Sequence, residues 1–277
     1  MGNLNPIYLK KEDIEEVAEF MGLDFASCKE RIINYSSMEL ARRWHRMNPM
    51  THTEIVQFYN DNPLYVFELT KANASKERLE FHGAVIAFLL KNYPASSHPK
   101  VLDFGSGVGS DAIKFSEKGH QVSFADIPGK TAKFAEYRFK KRNINACFVP
   151  ITGEALNLKE KYDIIICFDV LEHISNPIKT LSGLVKHLTD NGVIGIINCP
   201  NDENGDHPCH LPHTFLSLGK LWQQTLDYAG LVEAVGSRHV YRKATGLKSF
   251  LKKTRYYFWN MTSLYVSRVP KIEKVKT

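Results

Sequence analysis

At 277 residues, 43% of them hydrophobic and 24% charged, the chain is long enough for one full-sized α/β domain with an appended segment. No apolar run reaches the ~20 residues needed to cross a bilayer, and the start, MGNLNPIYLKKEDIEEVAEF, resembles neither a secretory leader nor a myristoylation signal, so a cytoplasmic location is expected. The net charge of +6 belongs to the tail, where residues 247–277 carry eight Lys or Arg and one Glu (+7) against −1 elsewhere, and five scattered cysteines without a CxxC pair argue against a disulfide framework or a zinc ribbon.

Residues 11–92 place apolar side chains at helical spacing, as in KEDIEEVAEFMG and RLEFHGAVIAFLLKNY, and predict a helical N-terminal cap over 1–97, closed by the breaker-rich PASSHP. From 98 to 277 short apolar runs alternate with helical stretches, the pattern of an α/β, doubly wound, mostly parallel, seven-stranded Rossmann-like sheet. The predicted order is strand 100–104, helix 109–118, strand 121–126, helix 130–142, strand 146–150, strand 162–168, helix 177–189, strand 192–198 and helix 214–229. LVEAVGSRHVYR (231–242) and TSLYVSRVP (262–270) read as the last two strands, bracketing a basic-aromatic insert at 244–262.

The first strand runs into the loop GSGVG, where a ligand of such a sheet binds. Gly105, Gly107 and Gly109 alternate, and Ser110 stands where a dinucleotide fingerprint needs its third glycine; a P-loop also fails for want of its lysine. Asp103, just before the loop, would repel a pyrophosphate and attract an ammonium or sulfonium group. Asp126, at the end of the second strand, suits the two vicinal hydroxyls of a ribose. A ribose at one end and a cationic amino acid at the other describe S-adenosylmethionine.

With these residues in place the sequence resembles the class I S-adenosylmethionine-dependent methyltransferases, in particular their ubiquinone and small-molecule branch. VLDFGSGVG looks like the first motif, with Ser106 inside it, and ADI at 125–127 like the ribose and adenine segment. TGEAL resembles the adenine-edge segment, YDIIICFDVLEHISNP the fourth-strand motif, NGVIGIINCPN the fifth strand, and HPCHLPHTFLSLGKLWQQTLDYAGL the segment that follows it. The resemblance spans roughly residues 95–245. It implies Ile127, Glu154 and Ala155 near the adenine, and Asp169, Val170 and Leu171 as the wall nearest the methyl group.

Methyl transfer needs donor and acceptor held in line, and a base only where the acceptor must lose a proton. His173 and His210 are the candidate bases, with Asp169 and Glu172 beside them. HPCHLPH gathers His207, Cys209, His210 and His213, but its two prolines force an extended path, and no metal is expected. Among the cap aromatics Phe67 reads as core, while Tyr59 and Tyr65 are open between core and pocket wall. The leading reading is methyl transfer to oxygen or nitrogen of a small-molecule acceptor. Two rivals are an RNA or protein methyltransferase using KSFLKKTRYYFWNM, and a cofactor-binding protein without catalysis. Nucleic acid is disfavoured because a solvated helix with one buried aromatic face explains that segment just as well and no recognised RNA-binding domain accompanies it.

Overall fold

In a computed structural model that describes residues 6–49, 51–153, 156–199 and 209–245, the first five expected strands pair with two short C-terminal ones in one sheet of order β3-β2-β1-β4-β5-β7-β6. They are β1 (Lys100–Phe104), β2 (Gln121–Asp126), β3 (Ala146–Pro150), β4 (Tyr162–Phe168), β5 (Leu188–Ile197), β6 (Leu231–Glu233) and β7 (Val240–Lys243). β1 to β5 run parallel, and β7 is antiparallel to both β5 and β6. Ahead of β1 lie α1 (Lys11–Met21), α2 (Phe25–Asn34), α3 (Ser37–Met47), α4 (His52–Asn60), α5 (Tyr65–Asn73) and α6 (Lys76–Asn92). The crossovers carry α7 (Ser110–Ser116), α8 (Lys130–Lys141), α9 (Pro177–Lys186) and α10 (Trp222–Ala229).

The unbroken apolar run of β4 reflects a strand covered on both faces. Ile164, Ile166 and Phe168 pack with Val85, Ile86 and Leu89 of α6, Ile113 and Phe115 of α7 and Phe139 of α8. Ile165 and Cys167 point the other way, toward Leu181 and Leu184 of α9 and Leu226 of α10. α6, although on the cap side of the boundary expected at 97, thus covers the sheet directly.

The other cap helices are fixed by two apolar clusters and a set of ion pairs. Ile14 and Val17 of α1, Ile32 of α2 and Phe67 of α5 close on Val108 and on Phe134 of α8. Arg138 of α8 donates to Glu16 at 2.7 Å and to Asp13 at 2.6 Å, and Arg142 reaches Glu16 at 2.6 Å. Glu16 and Arg138 are 3% and 4% exposed, so this cross-link is a buried one and neither charge can be removed alone without a large cost. Leu40 and Trp44 of α3 join Ile55 and Phe58 of α4 against Cys209 and Leu211, which ties the cap to the segment after β5. α4 starts in a capping box, with Thr51 and Glu54 satisfying each other's backbone N–H groups.

The end of the chain departs from the expected pair of strands. Residues 231–242 do not form one strand: Gly236, at φ 91°, reverses the chain inside them and sets β6 antiparallel to β7. The segments 246–262 and 262–270 lie outside the described residues. The helix expected over 214–229 is divided into a π-helical turn, Leu216–Lys220, and α10. That expected over 177–189 stops at Lys186, because Leu188 already pairs with Tyr162 across a bulge.

Candidate active site

A cavity of about 650 Å³ opens where β1, β2, β4 and β5 end, beside the point at which the strand order reverses between β1 and β4. Its floor is Phe104, Asp126, Phe168 and Ile197 from the strand ends, and α3 to α6 form its roof.

The glycine loop makes one wall. Gly105 has φ 70°, its N–H donates to the Ala125 carbonyl at 2.8 Å, and a Cβ there would come within 2.4 Å of Val170 Cγ2. Gly107, at φ 55°, leaves the same kind of gap toward Leu69 of α5. These positions need both the left-handed backbone and the missing side chain. Gly109, at φ 76°, is left-handed as well, and a Cβ there would meet Phe139 and Ala135 of α8 at 3.1–3.2 Å. Between them the Ser106 hydroxyl is buried, lines the cavity and has no hydrogen-bond partner among the described residues.

Asp126 accepts from the backbone N–H groups of Gly107 at 2.6 Å and Ile127 at 2.7 Å. Burial nevertheless outweighs those two donors and pushes its carboxyl up to about 6. The group is ionised at neutral pH and retains lone pairs for a hydroxyl-bearing ligand. Ile127 lines the cavity beside it, with Ile151 and Leu156 opposite the glycine loop. Glu154 and Ala155 lie outside the described residues.

Asp103 is placed differently from the expectation that it meets the ligand. It is 4% exposed, accepts from Ala112 N–H at 3.0 Å at the start of α7, and is absent from the described cavity lining. Burial, together with the neighbouring Asp111 carboxylate, raises its pKa. A cation does stand at this end of the cavity, but it comes from the cap. Arg78 of α6 pairs with Asp169 and, at 3.4 Å, with Asp111. His82, one turn further along α6, reaches Asp169 at 3.3 Å and is driven down to about 3 by burial and then by Arg78, so it is neutral. Asp169 itself holds φ 52°, a strained conformation for a residue with a side chain, at the end of β4. Burial raises its pKa against the pull of Arg78. Val170 lines the cavity, whereas Leu171 is fully buried in the second core cluster.

His173 and His210 meet at the opposite end, their rings edge to face with centroids 4.7 Å apart. His173 Nδ1 lies 3.1 Å from the Cys209 carbonyl and 2.9 Å from the Tyr59 hydroxyl of α4. With the proton on Nδ1, given to the Cys209 carbonyl, Nε2 keeps the lone pair, the form a base requires; in the other tautomer the Tyr59 hydroxyl donates to Nδ1. Glu172 is fully buried and accepts from Cys199 N–H at 2.7 Å. Glu172, His173 and His210 each bring one candidate ligand atom within 4.8 Å of the others. The grouping foreseen along HPCHLPH is different: His213 is exposed, 2.9 Å from the Ser175 carbonyl, and His207 lies outside the described residues. Tyr59 and Tyr65 both line the cavity, and burial holds both hydroxyls far above their usual range, hence protonated. Phe67 is core, fully buried in the α1–α2–α5 cluster.

Residues 75–249 match the family model described as a methyltransferase domain, a match that begins at the cap of α6 and so takes in Arg78 and His82. The ubiquinone biosynthesis O-methyltransferase of Rickettsia prowazekii (strain Madrid E) is 28% identical over 156 residues, 56% of this chain and 60% of that protein. That of Rickettsia akari (strain Hartford) is 32% identical over 101 residues, 36% of this chain and 40% of that protein. The chain therefore spans less than two thirds of the length of these curated relatives. Among solved structures, the mitomycin 7-O-methyltransferase superposes with a TM-score of 0.51 at 16% identity over 84% of this chain and 73% of that one, a likeness of fold.

Proposed function

Because the chain belongs to the methyltransferase-domain family, the class I S-adenosylmethionine-dependent methyltransferases, we propose that it transfers a methyl group from S-adenosylmethionine to oxygen or nitrogen of a small-molecule acceptor. The observation that carries this reading is one continuous cavity with Asp126 and the glycine loop at one end and His173 and His210 at the other.

The residues fit such a donor. Asp126 would take the ribose hydroxyls, and Ile127, Ile151 and Leu156 would flank the adenine. Glycines at 105 and 107 let the backbone come close, and the orphaned Ser106 hydroxyl gains a partner. Arg78 would face the carboxylate and Asp169 the ammonium, the two exchanging part of their mutual ion pair for the ligand's complementary charges. When bound, S-adenosylmethionine supplies an electrophilic methyl group on a sulfonium. The protein's share is to hold the acceptor in line and dry under α3 to α5, and to receive the acceptor's proton at His173 Nε2 or at His210. No described helix is long and apolar enough to cross a membrane, and the five cysteines are unpaired, which supports our placing the chain in the cytoplasm.

The test is release of S-adenosylhomocysteine across a panel of phenols, catechols, alcohols and amines. Turnover with at least one acceptor is expected, and His173→Gln or His210→Gln should lower kcat by ~10²–10⁴, the usual worth of a positioned base. Cofactor binding with no turnover on any acceptor would leave a binding protein instead. A second reading is favoured by the 4.8 Å cluster: Glu172, His173 and His210 would hold a divalent cation, which would supply Lewis-acid polarisation of an acceptor hydroxyl. Turnover abolished by a chelator and restored by Mg²⁺, Mn²⁺ or Zn²⁺ would select it over direct base catalysis.

A further inference from the structure

Glu68 is a cavity-lining carboxylate that neither the strand ends nor the histidine cluster explains. It projects from the first turn of α5, three residues after Tyr65 and hence on the same face of the helix. The Tyr65 ring lies 5.3 Å from that of Tyr59, whose hydroxyl is 2.9 Å from His173 Nδ1. Glu68 therefore borders the chamber between the cap and the histidines, where the acceptor would sit.

The described residues hold no counter-charge for it. Its one described hydrogen bond is accepted from the Tyr35 hydroxyl at 3.2 Å. Lys71, three residues along α5, donates instead to the Tyr35 carbonyl at 2.7 Å. Among the described lining residues the one Lys or Arg is Arg78, and its guanidinium is committed to Asp169 and Asp111. The titratable groups that face Glu68 are Tyr35 from the α2–α3 connection, Tyr59 from α4, Tyr65 on its own helix, and Cys209 from the segment after β5. All are neutral or acidic at neutral pH. Burial pushes the Glu68 carboxyl up to about 7, as expected of an acid in an apolar wall with no cation.

Deepening the reading of the preceding section, and resting on it, we propose that Glu68 sets the charge selectivity of the acceptor chamber: it admits neutral or cationic acceptors that point an N–H or O–H donor at its carboxylate, and turns away carboxylates, sulfates and phosphates. A cationic nitrogen supplies the missing counter-charge and is further favoured by the Tyr59 and Tyr65 rings. A hydroxyl supplies a hydrogen bond. An anion meets Glu68 with no uncommitted Lys or Arg among the described lining residues, in surroundings where like charges repel far more than in water.

Three phenols of one size separate the effects of charge: tyramine, 4-ethylphenol and 4-hydroxyphenylacetate. Each is titrated at pH 8 into the full chain saturated with S-adenosylhomocysteine. Tyramine should bind at least tenfold more tightly than 4-hydroxyphenylacetate, with 4-ethylphenol between them. In Glu68→Gln the ratio should fall to within about threefold, and Glu68→Asp, which keeps the charge, should preserve it; circular dichroism shows that both variants are folded. Equal or tighter binding of the anion, a ratio that Glu68→Gln leaves unchanged, or no binding of any of the three overturns the assignment. Failure of the wild-type chain to bind S-adenosylhomocysteine would bring down the methyltransferase reading itself, whereas normal cofactor binding without charge preference sinks the role of Glu68 alone.

Discussion

Gly105→Ala tests the glycine loop through two separable costs. The first is conformational: φ 70° is left-handed, and a non-glycine residue held there costs of order 1–3 kcal/mol. The second is steric. The new Cβ would lie 2.4 Å from Val170 Cγ2 and 2.7 Å from Cγ1, both inside contact distance, and relieving such overpacking costs about 1–3 kcal/mol. Together the substitution should cost about 2–6 kcal/mol, which at ~2–4 °C per kcal/mol for a chain of this size lowers the melting temperature by roughly 5–20 °C. Val170 lines the cavity, so its displacement should also weaken S-adenosylhomocysteine binding. Thermal unfolding of Gly105→Ala, Val170→Ala and the double variant closes the cycle. Val170→Ala removes both clashing methyl groups, so the double variant should recover the steric part and leave the conformational part, a favourable coupling of about 1–3 kcal/mol. Melting of Gly105→Ala within ~1 °C of wild type, or strictly additive losses in the double variant, would refute the reasoning.

Arg138→Met should destabilise the fold by about 1–3 kcal/mol, because it takes from buried Glu16 one of its two arginines and leaves Arg142 alone to balance it in the α1–α8 contact; pairing it with Glu16→Gln should return part of that loss, as read by denaturant unfolding. Glu68 gives a pH dependence of definite sign. Its carboxyl rises from 4.5 to about 7 on folding, so the folded state holds its proton more firmly, and that stabilisation is complete below pH ~4.5 and lost as pH rises through about 7. Glu68→Gln should therefore gain about 1–3 kcal/mol on wild type between pH 5 and pH 8, a range set below the full shift because the side chain is only partly buried. No change in the difference between the two proteins over that range would contradict the burial of an uncompensated acid.

The parts of this site that backbone geometry dictates were legible in the sequence. A strand running into alternating glycines fixes a left-handed loop, and Asp126 at the end of the next strand has to stand beside it, because parallel neighbours end on the same edge of the sheet. The role foreseen for Asp103 rested on the same adjacency but ignored direction: its side chain turns under the loop to the Ala112 N–H. Arg78 and His82 went unnoticed although they left a trace. They lie on one stripe with Val85 and Leu89, at positions 78, 82, 85 and 89, and a cation on the buried stripe of a helix is a sign that something must neutralise it. Glu68 left none, since its spacing to Lys71 suggests an ordinary surface pair, and only tertiary structure sends that lysine to the Tyr35 carbonyl. Pairing of His173 with His210 was equally invisible, because it depends on how Cys209 and Leu211 pack under α3 and α4.

The central claim is that this cavity binds the product of methyl donation through Asp126. Calorimetric titration of S-adenosylhomocysteine into the full chain should show one site, and Asp126→Ala should weaken it by at least tenfold, the loss of a charged acceptor shared by two hydroxyls. Binding that Asp126→Ala leaves unchanged, or no binding by the wild-type chain, would contradict the account.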